Sequence, residues 1–381
     1  MLYVPFGKLG FNVSRLGFGT MRLPTVQSDE GAVVIDRQQA IAMIRHAIDQ
    51  GVNYVDTAYG YHNGESEIVT GLALKNGYRE RAKLATKLPQ WLVREHKDMD
   101  RLLDEQLKKL DVPYLDFYLL HALNRDAFER LKNLDYQSFL KRCIKDGRVR
   151  HVGFSFHDDA VTFRDILDNY AWEMAQIQFN YLDDRAQATL DGLLYAGEKG
   201  IPVVVMEPLR GGALANPPKE IAERISQNRF GASPAELAFR YVSHFSQVVT
   251  ILSGMSSPEQ VEDNLRIFED VPVGGLSAED LQFVSSVKAA YLDRTAIGCT
   301  ACNYCQPCPQ GVNIPGIFDL YNRSYRFGDN AILKNEYKQF CASKQDASSC
   351  VSCGVCEEAC PQQLPIISTL KEIEKMAGCR P

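Results

Sequence analysis

Residues 53–58 read NYVDTA, a short β-branched and aromatic run that stops abruptly at a carboxylate. Such a run is too short for an amphipathic helix and reads as a buried strand with a polar residue at its C-terminal end. Seven further stretches have the same character: RLGFGT (15–20), KLATK (83–87), DFYLLH (116–121), HVGFSF (151–156), AQIQFN (175–180), PVVVMEPL (202–209) and VVTILSGM (248–255). Between and after them lie helical patterns near 38–50, 65–77, 98–110, 136–146, 158–170, 187–199, 218–243 and 258–268. Capping boxes at SPAE (233–236), SPEQ (257–260) and SAED (277–280) mark helix starts, the first two with proline at the first helical position. Eight strands each followed by a helix predict an α/β fold, a (β/α)8 TIM barrel. An open doubly wound sheet is the runner-up, and no GxGxxG turn follows the first strand to favour it.

The 381-residue chain is 45% apolar and 24% charged, with a net charge of −6 and no basic footprint, so a nucleic-acid partner is not expected. The start lacks a charged segment followed by an apolar core, and no apolar run reaches membrane-spanning length, which predicts a cytoplasmic protein with no membrane partner. One cysteine, Cys143, precedes residue 299, and ten of the 11 follow it. That shift predicts a barrel over 1–275, a connecting helix over 276–296 and a cysteine-rich, mainly α-helical domain over 297–381. Within the last, residues 313–345 read as helices. Cys143, on a helical pattern, reads as packed core, and Cys341 and Cys379 carry no assignment.

Clustered cysteines in a chain without an export signal argue for metal rather than disulfides. Cys350-x2-Cys353-x2-Cys356-x3-Cys360-Pro361 is the bacterial ferredoxin pattern for 4Fe–4S clusters. Cys299-x2-Cys302-x2-Cys305-x2-Cys308-Pro309 is one residue shorter before its last cysteine. In two-cluster ferredoxins the fourth cysteine of each run serves the other cluster. Two 4Fe–4S clusters are therefore expected, one on Cys299, Cys302, Cys305 and Cys360, the other on Cys350, Cys353, Cys356 and Cys308. A single cluster and structural zinc, which would want two cysteine pairs across a longer loop, are the alternatives. The helical spacer resembles the dicluster ferredoxin module of several oxidoreductase subunits.

Four polar residues end strand runs or follow them closely: Asp56 and Tyr61 in VDTAYGY, Lys87 in LATK and His121 in YLLH. With the entry segment GKLGFNVSRLGFGTMRLP, they resemble the aldo/keto reductase family over roughly residues 3–270, in the subfamily with a C-terminal ferredoxin-type domain. The resemblance implies that Tyr61 donates the proton in carbonyl reduction, Lys87 tunes it, Asp56 pairs with Lys87 and His121 orients the carbonyl. Alone, each has a bland reading, as a buried Tyr, a satisfied His or a structural ion pair. Tyr59 is a lesser candidate for the proton donor, and Trp91 either lines a hydrophobic substrate pocket or packs on the barrel rim.

The resemblance also implies NADPH or NADH across the barrel mouth. Ser155 and Gln178 match carboxamide-binding positions, Arg210 and Gly211 in the EPLRGG turn suit the pyrophosphate, and Ser256 and Asn264 lie in the last segment, Asn264 matching an adenine contact. Three features depart from the family pattern. Phe156 replaces an Asn, Met206 replaces a stacking Tyr, and Gly254 and Gln260 replace the basic residues that grip a 2′-phosphate. These departures admit a flavin at the same mouth. Nicotinamide delivers two electrons and an iron–sulfur cluster one, and a flavin is the usual converter. Three functions follow: a reductase of a small-molecule carbonyl whose clusters are structural or serve an electron-transfer partner protein; a flavin- and cluster-dependent reductase fed by a ferredoxin-like donor; and a non-enzymatic cluster scaffold.

Overall fold

The computed structural model describes residues 1–28, 31–299 and 301–378. All eight predicted strands form: β1 Leu16–Gly19, β2 Tyr54–Asp56, β3 Lys83–Leu88, β4 Leu115–Leu123, β5 Val149–Phe156, β6 Met174–Gln178, β7 Val203–Met206 and β8 Val248–Gly254. Each pairs in parallel with its neighbours in chain order, and β8 closes on β1 through the register Ile251–Leu16 to Gly254–Gly19. The outcome is the (β/α)8 barrel. An open sheet is excluded by that closure.

Helices α1 Arg37–Asp49, α2 Glu65–Ala73, α3 His96–Leu110, α4 Arg125–Asn133, α5 Tyr136–Lys145, α6 Ala160–Asn169 and α7 Thr189–Glu198 follow successive strands. The pattern near 218–243 is two helices, α8 Lys219–Ile225 and α9 Pro234–His244, because Gly231 is left-handed at φ 62° and Pro234 can only begin a helix. Helix α4 is additional to the predicted helices: the Asn124 side chain caps it by accepting from the Ala127 amide, and Ala127, Phe128 and Leu131 form its buried face. Helices α10 Pro258–Ile267 and α11 Ala278–Asp293 start at the expected boxes: the Ser257 side chain accepts from the Gln260 amide, and Ser277 and Asp280 cap each other. Gln260, however, reaches back to the Ser256 amide at 2.7 Å rather than to the capping residue itself.

An N-terminal hairpin, Tyr3–Pro5 with Asn12–Ser14, was not anticipated. Its Phe6 is fully buried against Phe117 at 4.7 Å and packs with Tyr54 and Met174, residues at or near the start of their strands. The N-terminal end of the barrel is thus plugged by aromatics, and the C-terminal end is left for chemistry.

By spatial proximity the chain falls into two compact units, Met1–Leu214 with Ala235–Leu281, and Ala215–Pro234 with the chain from Gln282 onward. In the second, α12 Ile314–Phe327, α13 Asn330–Glu336, α14 Lys338–Ala342, the short α15 Val355–Glu358 and α16 Ile366–Ala377 surround a core that includes Ile317, Phe318, Leu320, Leu333, Tyr337, Leu370 and Ile373. Asn322 binds the approaching chain with both ends of its amide, accepting from the Ala296 and Ile297 amides at 3.0 Å and donating to the Ile297 carbonyl at 2.9 Å. Cys143 is buried, as expected of core, and Cys379 lies outside the described residues.

Helix α2 rests on the end of α3 at Gly71, where an added Cβ would sit 2.2 Å from the Leu110 carbonyl oxygen. Gly71→Ala gains about 1 kcal/mol of helix propensity but forces backbone apart, a clash that costs about 1–3 kcal/mol. A lower denaturation midpoint is expected by circular dichroism; an unchanged or raised midpoint would show that the two helices do not meet there.

Candidate functional site

Lys87, Asp56, Tyr61 and His121 converge at the C-terminal ends of β2, β3 and β4. The Lys87 ammonium, 1% exposed, donates to Asp56 Oδ1 at 2.6 Å, to the Thr57 carbonyl at 2.8 Å and to Tyr61 Oη at 3.4 Å. Burial pulls the Lys87 pKa down, but Asp56 and Tyr61 outweigh it and hold it above the usual range. Burial pushes the Tyr61 hydroxyl up more than Lys87 pulls it down, so Tyr61 is a neutral O–H at rest. Burial, helped by Lys87 and His157, pushes His121 well below 6.5, leaving a neutral imidazole. The His121 ring meets Tyr61 edge-on at 6.2 Å, and its buried Nδ1 has no protein partner among the described residues.

Local backbone aims these groups. Pairing between β4 and β5 slips between Leu120 and Leu123, with Ala122 left-handed at φ 49°. This bulge turns the strand at His121, and the Ala122 amide donates to Ser155 Oγ at 2.7 Å. Trp91, 48% exposed, packs on His121 with ring centroids 5.1 Å apart, so it is a wall of the mouth as well as a rim contact. Tyr59 is the correction: its hydroxyl donates to Glu105 at 2.9 Å and its ring lies under Lys109, away from Lys87. His62, which flanks Tyr61, accepts from the Leu23 amide at 3.1 Å.

Beneath the four lies a buried layer that sequence reading missed. Gln106 Nε2 donates to the Lys87 carbonyl at 3.0 Å and to Glu67 Oε1 at 2.6 Å, while Thr86 donates to the same Glu67 oxygen and Tyr118 to Gln106 Oε1. Its signal was a glutamine on the apolar face of α3, beside Leu102, Leu103 and Leu110, all fully buried.

The residues that the resemblance matches to cofactor contacts lie at or beyond the C-terminal ends of β5 to β8. Gln178 Nε2 and Arg210 Nε both donate to Asp183 Oδ2, at 3.3 and 2.8 Å. Gly211 is left-handed at φ 66°, and a Cβ there would lie 3.0 Å from the Arg22 guanidinium; at Gly254 it would lie 3.2 Å from the Arg22 stem. Ser256 Oγ donates to the Arg22 carbonyl at 2.8 Å, and Asn264 is buried with its amide donating to Ser253 at 2.8 Å. Arg22, unremarked in the sequence, thus runs along the β8 rim beside the two glycines. Phe156 packs on Phe163 of α6, 5.1 Å between centroids. Glycines beside the Arg22 guanidinium and a buried imidazole nitrogen without a protein partner among the described residues are compatible with a nicotinamide dinucleotide.

In the second unit, Cys299, Cys302, Cys305 and Cys360 line one hollow, and Cys308, Cys350, Cys353 and Cys356 line another, with Cys305 on the wall of both. Apolar side chains, including Phe318, Leu364, Val351 and Leu370, complete the walls. Ala301, Asn303, Ser352 and Gly354, between the cysteines, are all left-handed, a conformation that shapes backbone into concave nests for anionic groups. No group of three or more His, Cys, Asp or Glu among the described residues gathers tightly enough for a single ion. Thiols around a hollow suit a cubane cluster better than one zinc.

The aldo/keto reductase family sequence model matches residues 15–282, and a 4Fe-4S dicluster domain model matches 298–364. The chain is 27% identical over 308 residues to the NADH-specific methylglyoxal reductase of Escherichia coli (strain K12), covering 70% of this chain and 93% of that protein. It is also 27% identical over 322 residues to probable aldo-keto reductase 1 of Glycine max, covering 72% and 90%. Among solved structures, aldo-keto reductase AKR11C1 from Bacillus halodurans in its holo form superposes with a TM-score of 0.63 at 25% identity, covering 75% of this chain and 96% of that one. No helix among the described residues is long and apolar enough to cross a membrane. A closed parallel barrel with Asp56, Tyr61, Lys87 and His121 at its mouth, matched by the family model across most of the chain, makes this protein an oxidoreductase of the aldo/keto reductase family that carries a C-terminal 4Fe-4S dicluster domain.

Proposed function

We propose that the barrel reduces a small-molecule carbonyl with NADPH or NADH, and that the tail holds two 4Fe–4S clusters serving an electron-transfer partner. The observation that carries the reading is the buried Lys87 ammonium between Asp56 and Tyr61. When bound, the nicotinamide supplies a hydride to the carbonyl carbon. Tyr61 Oη gives its proton to the oxygen, where negative charge develops, and Lys87 stabilises the phenolate left behind. Asp56 keeps Lys87 charged and aimed. The neutral His121 imidazole orients the carbonyl through a ring nitrogen without competing for the proton. Ser155, Gln178, Arg210, Gly211, Ser256 and Asn264 form the dinucleotide's seat in this reading, with Arg22 beside it.

Tyr61→Phe is expected to lower kcat for carbonyl reduction by about 10²–10⁴-fold while NADPH still binds by calorimetry; undiminished turnover would remove Tyr61 from the proton-donor role. Because His121 is already neutral and Tyr61 titrates above its usual 10, the reduction rate should run level across neutral pH and fall only on the alkaline side of about 10. An inflection near 6.5 that vanishes in His121→Phe would contradict the neutral imidazole.

Cluster number is read from iron. Anaerobically purified protein should carry about eight irons and eight sulfides, and Cys353→Ala should keep about half of each. Loss of all iron from that variant would favour one cluster.

A second reading, a flavin- and cluster-dependent reductase, is favoured by Phe156, Met206, Gly254 and Gln260, which together depart from the residues that hold a nicotinamide dinucleotide in the family. Stoichiometric flavin in the same preparation would move the assignment there.

A further inference from the structure

Asp183 Oδ2 accepts three donors: Arg210 Nε at 2.8 Å, Asn180 Nδ2 at 3.1 Å and Gln178 Nε2 at 3.3 Å. Two of the three are side chains assigned above to the dinucleotide. We propose that Asp183 is a positioning residue that restrains cofactor binding, by holding the Arg210 guanidinium and offsetting the positive charge it offers to the cofactor's pyrophosphate. The inference rests on the nicotinamide reading.

The carboxylate is built into this place rather than swept there by a loose loop. Asn180, wholly buried at the end of β6, accepts from the Leu182 and Asp183 amides at 3.0 and 2.9 Å, which fixes the turn that presents Asp183. Asn180 Nδ2 also donates to the Glu207 carbonyl at 3.0 Å, tying the loop after β6 to the loop after β7. That second loop is left-handed at three consecutive positions, Arg210, Gly211 and Gly212 (φ 49°, 66° and 95°), and also at Glu207 (φ 56°). A non-glycine residue holds such a conformation only where its surroundings impose it, and the ion pair to Asp183 is one of the contacts that do. The pair is sheltered, with side chains 15% and 27% exposed, so solvent and salt screen it less than a surface pair.

The arrangement suits turnover. An arginine free of any carboxylate would hold a pyrophosphate through charge-assisted bonds, and slow cofactor release often limits enzymes that bind it tightly. Asp183 keeps Arg210 in reach of the phosphate and lowers the gain from the contact.

The test is anaerobic titration calorimetry of NADPH and NADH into the full chain with its clusters, for the wild type, Asp183→Asn, Arg210→Ala and the double variant. Asn keeps the size and an acceptor oxygen while removing the charge. Asp183→Asn should tighten Kd for both dinucleotides roughly tenfold, the scale of one partly screened charge, and Arg210→Ala should weaken both. In the Arg210→Ala background the Asp183→Asn effect should fall within about twofold of none, because the effect runs through Arg210. Weaker or unchanged binding in Asp183→Asn overturns the proposal, as does tightening that persists without Arg210. Iron content and melting temperature verify that each variant is folded, and Asp183→Ser carries the same prediction should Asn fail to fold. If the wild type binds neither dinucleotide, the nicotinamide reading itself fails, an outcome distinct from normal binding that Asp183→Asn leaves unmoved.

Discussion

A lysine ammonium with 1% exposure is the most demanding object in the barrel. Removing such a charge from water costs several kcal/mol unless partners replace the lost solvent. Asp56 at 2.6 Å supplies the countercharge and the Thr57 carbonyl a second acceptor, both from the end of the neighbouring strand. The third contact, Tyr61 at 3.4 Å, is longer than a good hydrogen bond and adds less than the other two. Stability and chemistry are coupled here, since the groups that make Lys87 tolerable also set the proton inventory of the site.

That coupling explains why so much polar machinery lies behind the mouth. Glu67, Thr86, Gln106 and Tyr118 bond to one another through Glu67 Oε1 and the Gln106 amide in the layer between β3 and its helices, and Gln106 fastens the Lys87 backbone directly. Buried networks of this kind rigidify when satisfied and are costly when broken. On the other side the β4 bulge turns His121 toward Tyr61 and binds Ala122 to Ser155, so one irregularity orders two elements of the mouth. The aromatic plug around Phe6 seals the opposite end, which confines access to the side where these groups lie.

The cysteine-bearing unit solves a different problem. Its core packs α12, α13, α14 and α16 together, and apolar side chains of that core, such as Ile314, Phe318 and Leu370, also form walls of the hollows lined by sulfur. A small core of that kind gains much of its folding energy from what it binds, so cluster loss and unfolding should be linked in this unit. The chain thereby joins an aldo/keto reductase barrel to a 4Fe-4S dicluster domain.

The sequence by itself determined the barrel, the four residues of the mouth and the spacing of eight cysteines, because each is written as a local pattern: an apolar run with a polar end, or a fixed interval between thiols. It also marked the helix starts at Ser257 and Ser277, whose caps need only a few adjacent residues. Tertiary structure decided the rest. Tyr59 and Tyr61 are two residues apart and look alike in the chain, yet only Tyr61 meets Lys87, since the intervening turn sends Tyr59 to Glu105 on α3. Gln106 and Asp183 looked like ordinary polar residues of a helix and a loop, and each acquires its place from partners 19 to 39 and 27 positions away. The sorting of cysteines into two groups around two hollows likewise depends on how α12, α13 and α14 fold between the two runs and α16 after them. Local patterns record what a segment can form alone, whereas a buried charge or a shared carboxylate is defined by groups that only folding brings within hydrogen-bonding distance.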